Sequence, residues 1–294
     1  MKKKPEISIC IPTFNRDIFL DECLSSISKQ FKNPEIYEKV EIIIEDNCST
    51  DNTRQVVKKY EKKYSNVRYF KNKTRIPIAK GIISVGKHAK GNYIWYCSDD
   101  DMHAGNSIEV LLRKIRLYSP DVLFCNLNEY SKDMKKIVHR NSLEINRDYF
   151  FHNRKELFSF LNNKFFYAID WFTSAYSNLV LAKKVFDKNY KLTKKYNGKL
   201  DLFPEAFAIF YTKTNYNIYV LNDKLIKYRS GNVKWRPENK KEFLLYWDSL
   251  LTNHYDYIKR LNTDVLPLTF IYRLFLKRLI RFIRMYILLP IFNY

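Results

Sequence analysis

The chain has 294 residues, with 52 Lys and Arg against 31 Asp and Glu for a formal net charge of +21. Hydrophobic residues make up 46% and aromatics 16%, which excludes a disordered linker, and 6 glycines are too few for collagen-like or low-complexity character. The basic excess calls for a polyanionic neighbour: nucleic acid, an acidic membrane surface or a phosphorylated substrate. Such a length fits one large domain or one domain with an appendage. No run of eighteen apolar residues suggests a membrane-spanning helix, and Met1 to Ile11 lacks the long apolar core and cleavage site of a secretory signal. Cys10, Cys23, Cys48, Cys97 and Cys125 are scattered without a CxxC pair. That suits reduced, buried thiols better than disulfides or a zinc site.

Ile7-Ser8-Ile9-Cys10-Ile11 reads as a buried strand that stops at Pro12. From Asp17, the spacing of Leu20, Cys23, Leu24 and Ile27 predicts a one-faced helix. Val40 to Glu45 is a second strand, followed by the polar run Asp46 to Asp51, which can cap a helix carrying Val56, Val57 and Tyr60. Val67 to Phe70 is a third strand, Ile78 to Ala89 a helix ended by Gly91, and Tyr93 to Cys97 a fourth strand. Ile108, Leu111, Leu112 and Ile115 mark another helix. Beyond it the pattern loosens, with strand-like Val122 to Asn126 and Tyr216 to Leu221 around an aromatic-rich stretch from Phe150 to Tyr176. After Trp235 the chain reads as helical to Tyr294.

This alternation predicts an α/β fold, a mostly parallel sheet with helices on both faces. Ligands of such sheets bind outside the carboxyl ends of the strands. Polar clusters fall at three of those ends: Thr13 to Arg16, Asp46 to Asp51 and Asp99 to Asp101. Adjacent carboxylates repel unless solvated or neutralised, so Asp99-Asp100-Asp101 can hold a hard divalent ion, Mg²⁺ or Mn²⁺, or can form a solvated acidic loop. Asp46 can accept from a base or sugar, or shape the turn before the helix. Thr13, Arg16 and Lys80 lie where a diphosphate could be met.

The runs Ile7 to Arg16, Glu45 to Thr53 and Gly91 to Asp101 together resemble family 2 glycosyltransferases of the GT-A fold. Asp46-Asn47 and Ser98-Asp99-Asp100-Asp101 are most similar to the abequosyltransferase-like branch of bacterial surface-polysaccharide enzymes. The resemblance covers roughly the first 125 residues. It implies a single Rossmann-like catalytic domain over residues 1–235, with a nucleotide-sugar half (1–105) and an acceptor half (106–235). A helical extension, 236–294, follows. Pro12, Thr13 and Arg16 would line the nucleotide site, Asp46 would hold the base, usually uracil, and Lys80, Asp99, Asp100 and Arg229 would also face the donor. Asp99 and Asp101 would bind the metal, although Ser98 stands where the commoner pattern has Asp. The implied reaction is an inverting displacement by an acceptor hydroxyl, deprotonated by Asp201, or failing that Glu205 or Asp170. Arg229 to Trp235 resembles the loop that closes over substrate in related enzymes.

Between Ile271 and Leu289 the cations Arg273, Lys277, Arg281 and Arg284 recur beside a broad apolar surface, as in a basic amphipathic helix lying on an anionic membrane. The expected partners are therefore a nucleotide sugar, a glycan or lipid-pyrophosphate-linked acceptor, and the cytoplasmic face of the membrane. Nucleic acid ranks last, because its usual motifs are missing and the strand-end carboxylates would repel phosphate. A metal-dependent nucleotidyltransferase stays open as a rival; it would release pyrophosphate.

Overall fold

A computed structural model describes residues 4–162, 176–195 and 214–232. The strands are β1 (Ile7–Thr13), β2 (Val40–Asp46), β3 (Val67–Lys71), β4 (Tyr93–Tyr96), β5 (Met102–His103), β6 (Val122–Tyr130), β7 (Ile137–His139), β8 (Tyr149–Phe151), β9 (Leu179–Ala182) and β10 (Ile218–Arg229). The helices are α1 (Asp17–Ser28), α2 (Pro34–Lys39), α3 (Thr53–Lys63), α4 (Ile78–Lys87), α5 (Ser107–Tyr118), α6 (Arg154–Asn162) and α7 (Lys183–Lys195). One sheet runs β3-β2-β1-β4-β9-β6-β10-β5, with β7 on β6 and β8 on β10.

The expected mixed α/β fold with a mostly parallel sheet is what forms. β3, β2, β1 and β4 are parallel, and β6 and β10 are parallel to each other. β9 runs antiparallel between β4 and β6 and joins the two groups. Trp95 on β4 donates from Nε1 to the Ser177 carbonyl at 3.0 Å, fixing the chain just before β9. The apolar residues of β1 and β2 are buried on both faces, as a doubly covered sheet requires. One face packs against α1 through Leu20, Cys23, Leu24 and Ile27, and against α3 through Val57 and Tyr60. The other meets Ile82 and Val85 of α4, where Cys10 Sγ approaches the Val85 carbonyl at 3.8 Å.

Three readings needed correction. β1 continues through Pro12 to Thr13, which pairs with Asp46. Cys10 bonds toward β4 through the Cys97 N–H. Pro12, two residues on, faces the same side, where β4 has ended and no N–H is needed. α4 ends at Lys87 rather than Gly91. Gly91 instead lets its backbone approach β1: its N–H donates to Ser8 Oγ at 2.8 Å, and a Cβ there would lie 2.7 Å from the Ser8 nitrogen. β10 extends past Leu221 because Asn222-Asp223, which resembles a turn, falls where the register against β6 shifts, and the strand resumes at Lys224. The proposed extension 236–294 lies outside the described residues.

Candidate active site

The carboxyl ends of β1, β2 and β4 lie side by side because those strands are adjacent and parallel. Hydrogen bonds fasten the loops that follow them. Asn15 N donates to Ser49 Oγ at 2.9 Å, Thr50 N to Asn15 Oδ1 at 2.8 Å, and Asp17 N to Asp51 Oδ2 at 3.1 Å. Asn15 sits in the left-handed region at φ 50°, a conformation Asn tolerates. Asp51 also accepts from Thr53 N at 3.0 Å, but the N-cap of α3 is Asn52, one residue past the run the sequence pointed to, and its side chain makes no capping bond.

Asp99, Asp100 and Asp101 follow β4 and are each buried. Asp99 and Asp100 meet at Arg16, and Asp101 turns away from them. Asp99 Oδ2 accepts from Thr13 Oγ1 at 2.7 Å, and its Oδ1 lies 3.2 Å from Arg16 Nη1. Asp100 Oδ2 pairs with the same Arg16 nitrogen at 2.7 Å and accepts from Asn232 Nδ2 at 2.9 Å, while Oδ1 accepts from Ser98 Oγ. Asp101 Oδ2 accepts from Ser177 Oγ at 2.5 Å and Oδ1 from the Arg229 N–H at 2.9 Å. Arg16 Nη2 in turn donates to the Asn232 carbonyl at 2.9 Å. Burial pushes the Asp99 carboxyl up to about 7 despite the pull of Arg16, with Asp100 adding to the rise. Burial also drives Asp101 upward, followed by repulsion from Asp100.

Asp46, at the end of β2, accepts from Ser49 N at 2.7 Å and from Tyr69 OH at 2.5 Å. It is 0% exposed, so a base reaching it has to displace the side chains that enclose it. Asn47 grips the backbone of Ile76 at both groups, accepting from its N–H at 2.8 Å and donating to its carbonyl at 2.7 Å. The Arg75 guanidinium lies 4.4 Å from the Phe14 ring centroid.

Thr13, Arg16, Asp99 and Asp100 thus come together, with Pro12 one residue away on β1, and Asp46 lies beside Thr13 in the sheet register. Lys80 is exposed on the first turn of α4. Arg229, expected to reach donor phosphate, is 4% exposed and directs its guanidinium into the protein. Asp201, Glu205 and Asp170 lie outside the described residues. Sequence reasoning passed over Ser177, Asn232, Glu22 and Tyr69; only the proximity of Asn232 to the loop glycine signalled one of them.

Asp99 and Asp100 supply two carboxylates around one guanidinium, oxygen donors that would suit a hard divalent ion. Asp101 is differently placed, with both oxygens engaged by Ser177 and Arg229. Among the described residues no three His, Cys, Asp or Glu groups gather as a metal cluster. Asp99 and Asp100 are the carboxylates that would hold such an ion.

A family model for glycosyl transferase family 2 matches residues 8–178. The chain belongs to that family. It is 29% identical over 185 residues to the abequosyltransferase RfbV of Salmonella typhimurium, covering 62% of this chain and 54% of the relative. It is 30% identical over 111 residues to a GalNAc(5)-diNAcBac-PP-undecaprenol beta-1,3-glucosyltransferase of Campylobacter jejuni, covering 37% of this chain and 34% of the relative. The chain spans about half the length of the first relative and a third of the second. Among solved structures, Staphylococcus aureus TarS 1-349 in complex with UDP matches with a TM-score of 0.60 at 18% identity, over 86% of this chain and 66% of that one. The fold is GT-A.

The Asp99 shift carries a pH signature. Its carboxyl titrates near 7 when folded and at 3.8 when free, so between those values the folded state holds the extra proton. That contribution to stability is complete below the free value and is lost as pH rises through about 7. Asp99→Asn has no such loss. Its unfolding free energy relative to wild type should therefore rise between pH 4 and 8 in urea titrations (roughly these limits). A difference that is flat with pH would refute this.

Proposed function

We propose that this glycosyltransferase moves a hexosyl or deoxyhexosyl group from a nucleotide sugar, a UDP-sugar, to a hydroxyl of a bacterial surface glycan carried on a lipid pyrophosphate. The observation that carries the reading is the convergence of Thr13, Arg16, Asp99 and Asp100 at the carboxyl ends of adjacent parallel strands. The UDP-bound structural neighbour supports the choice of nucleotide, and the undecaprenol-linked relative supports the choice of acceptor.

In this reading Arg16 turns its guanidinium from the two carboxylates to the donor diphosphate, and Thr13 keeps Asp99 oriented. Asp99 and Asp100 would hold Mg²⁺ or Mn²⁺, which would supply charge neutralisation for a nucleoside diphosphate leaving group. Asp101 holds the loop rather than the ion, a revision of its expected role. Asp46 accepts an N–H of the base once the enclosing side chains part. Asp201 takes the acceptor hydroxyl proton, with Glu205 and Asp170 as the other candidates, and attack opposite the leaving diphosphate inverts the anomeric centre.

Thermal unfolding should shift upward with UDP plus Mn²⁺, and Asp100→Asn should erase the metal-dependent part. Product analysis should find nucleoside diphosphate; release of pyrophosphate would sink the reading in favour of nucleotidyl transfer. Asp201→Asn should lower turnover by about 10²-fold or more with UDP affinity retained. Retained turnover would move the role to Glu205 or Asp170. Among the described residues no helix is long and apolar enough to cross a membrane, and residues 268–294 are proposed as the contact with the cytoplasmic face. Co-sedimentation with anionic vesicles should disappear when that segment is removed, and persistence would count against it.

A further inference from the structure

Arg229 ends β10 and is buried. Its Nε donates to the Asp100 carbonyl at 2.8 Å, and its backbone N–H to Asp101 Oδ1 at 2.9 Å. Nη1 reaches the Lys132 carbonyl at 2.6 Å, in the turn between β6 and β7. Nη2 pairs with Glu22 of α1, and the guanidinium carbon lies 5.0 Å from the Phe19 ring centroid. One side chain therefore ties β10, the acid loop, α1 and the β6–β7 hairpin together.

The planar fork of Arg serves these partners at once; the three donors of Lys radiate from a single point and cannot. Among the described residues Glu22 is the one carboxylate paired with this guanidinium, and its side chain is 48% exposed. It stands outside the group formed by Arg16, Asp99 and Asp100. Without that partner the buried cation keeps its charge beside Asp100 and Asp101, where it competes for the carboxylates.

We propose that Arg229 is a positioning residue, and that Arg229 and Glu22 together fix the main chain from which Asp100 presents its carboxylate to the divalent cation. The inference rests on the functional reading above, which puts the cation at Asp99 and Asp100. Ser98 and Asn232 orient the Asp100 side chain from the front, while Arg229 anchors its backbone from behind. Groups of this kind, one shell beyond the ligands, set metal affinity without touching the metal.

The test uses the full chain and titrates Mn²⁺ at saturating UDP, with free Mn²⁺ read by electron paramagnetic resonance. Glu22→Gln and Arg229→Lys should each weaken Mn²⁺ binding about tenfold. UDP affinity without metal should stay the same. Glu22→Gln changes a half-exposed residue and keeps the fold testable if Arg229→Lys unfolds. A purely structural role would lower the melting temperature and leave Mn²⁺ affinity unchanged in Glu22→Gln, and that result overturns the proposal. Asp100→Asn separates the two levels. If it abolishes Mn²⁺ binding while Glu22→Gln does not weaken it, only the positioning role fails. If it leaves Mn²⁺ binding intact, the functional reading fails and this inference with it.

Discussion

Three consecutive carboxylates buried at the end of one strand set the terms for the rest of the structure. Adjacent acids in a low-dielectric setting repel, and burial disfavours the charged form of each. The fold answers by giving each carboxylate its own partners, with Arg16 shared by the first two. Asp99 goes to Thr13 at the end of β1 and to Arg16, Asp100 to Arg16 and the segment after β10, and Asp101 to Ser177 before β9. Separation, hydrogen bonding and one shared guanidinium take the place of solvent. The same contacts draw distant parts of the chain to one point, so the electrostatic problem also assembles the site.

The parallel strands make that assembly possible. β1 and β2 end level at Thr13 and Asp46 and β4 ends beside Cys10, all pointing the same way, so the loops that follow them are neighbours whatever their sequence separation. Short links between Asn15, Ser49, Asp17 and Asp51 then lock two of these loops to each other. Chemistry is carried by backbone turns on a rigid, doubly buried sheet, an arrangement that fixes direction more closely than free loops would.

Much of this was legible before any coordinates. The first four strands and α1, α3 and α4 follow from apolar spacing, though the short α2 does not, and the three polar strand ends mark the site. Three features escaped. β9 is four residues long and lies beyond an aromatic-rich stretch, so no alternation distinguishes it. β10 contains Asn222-Asp223, a pair that ordinarily turns a chain and here falls at an irregularity in the pairing. The partners of Asp101 come from residues 177 and 229, and sequence spacing carries no information about contacts so remote. Arg229 shows the same limit from the other side: its residue type and neighbours suggested phosphate, but burial and four inward contacts give it another duty.

The antiparallel insertion of β9 also constrains the order in which the chain can become complete. β4 and β6 make no ladder with each other, and each pairs with β9 instead. Residues 179–182 must therefore arrive before the sheet can close between Tyr93–Tyr96 and the start of β6. During synthesis a chain that has emerged only as far as β6 carries two unpaired strand edges facing one seam. The four-stranded portion can form early from neighbouring segments, whereas joining it to β6 and β10 waits on a distant, very short strand. The seam that joins the two parts of the finished sheet is thus the place where its nascent form is most open to wrong pairing.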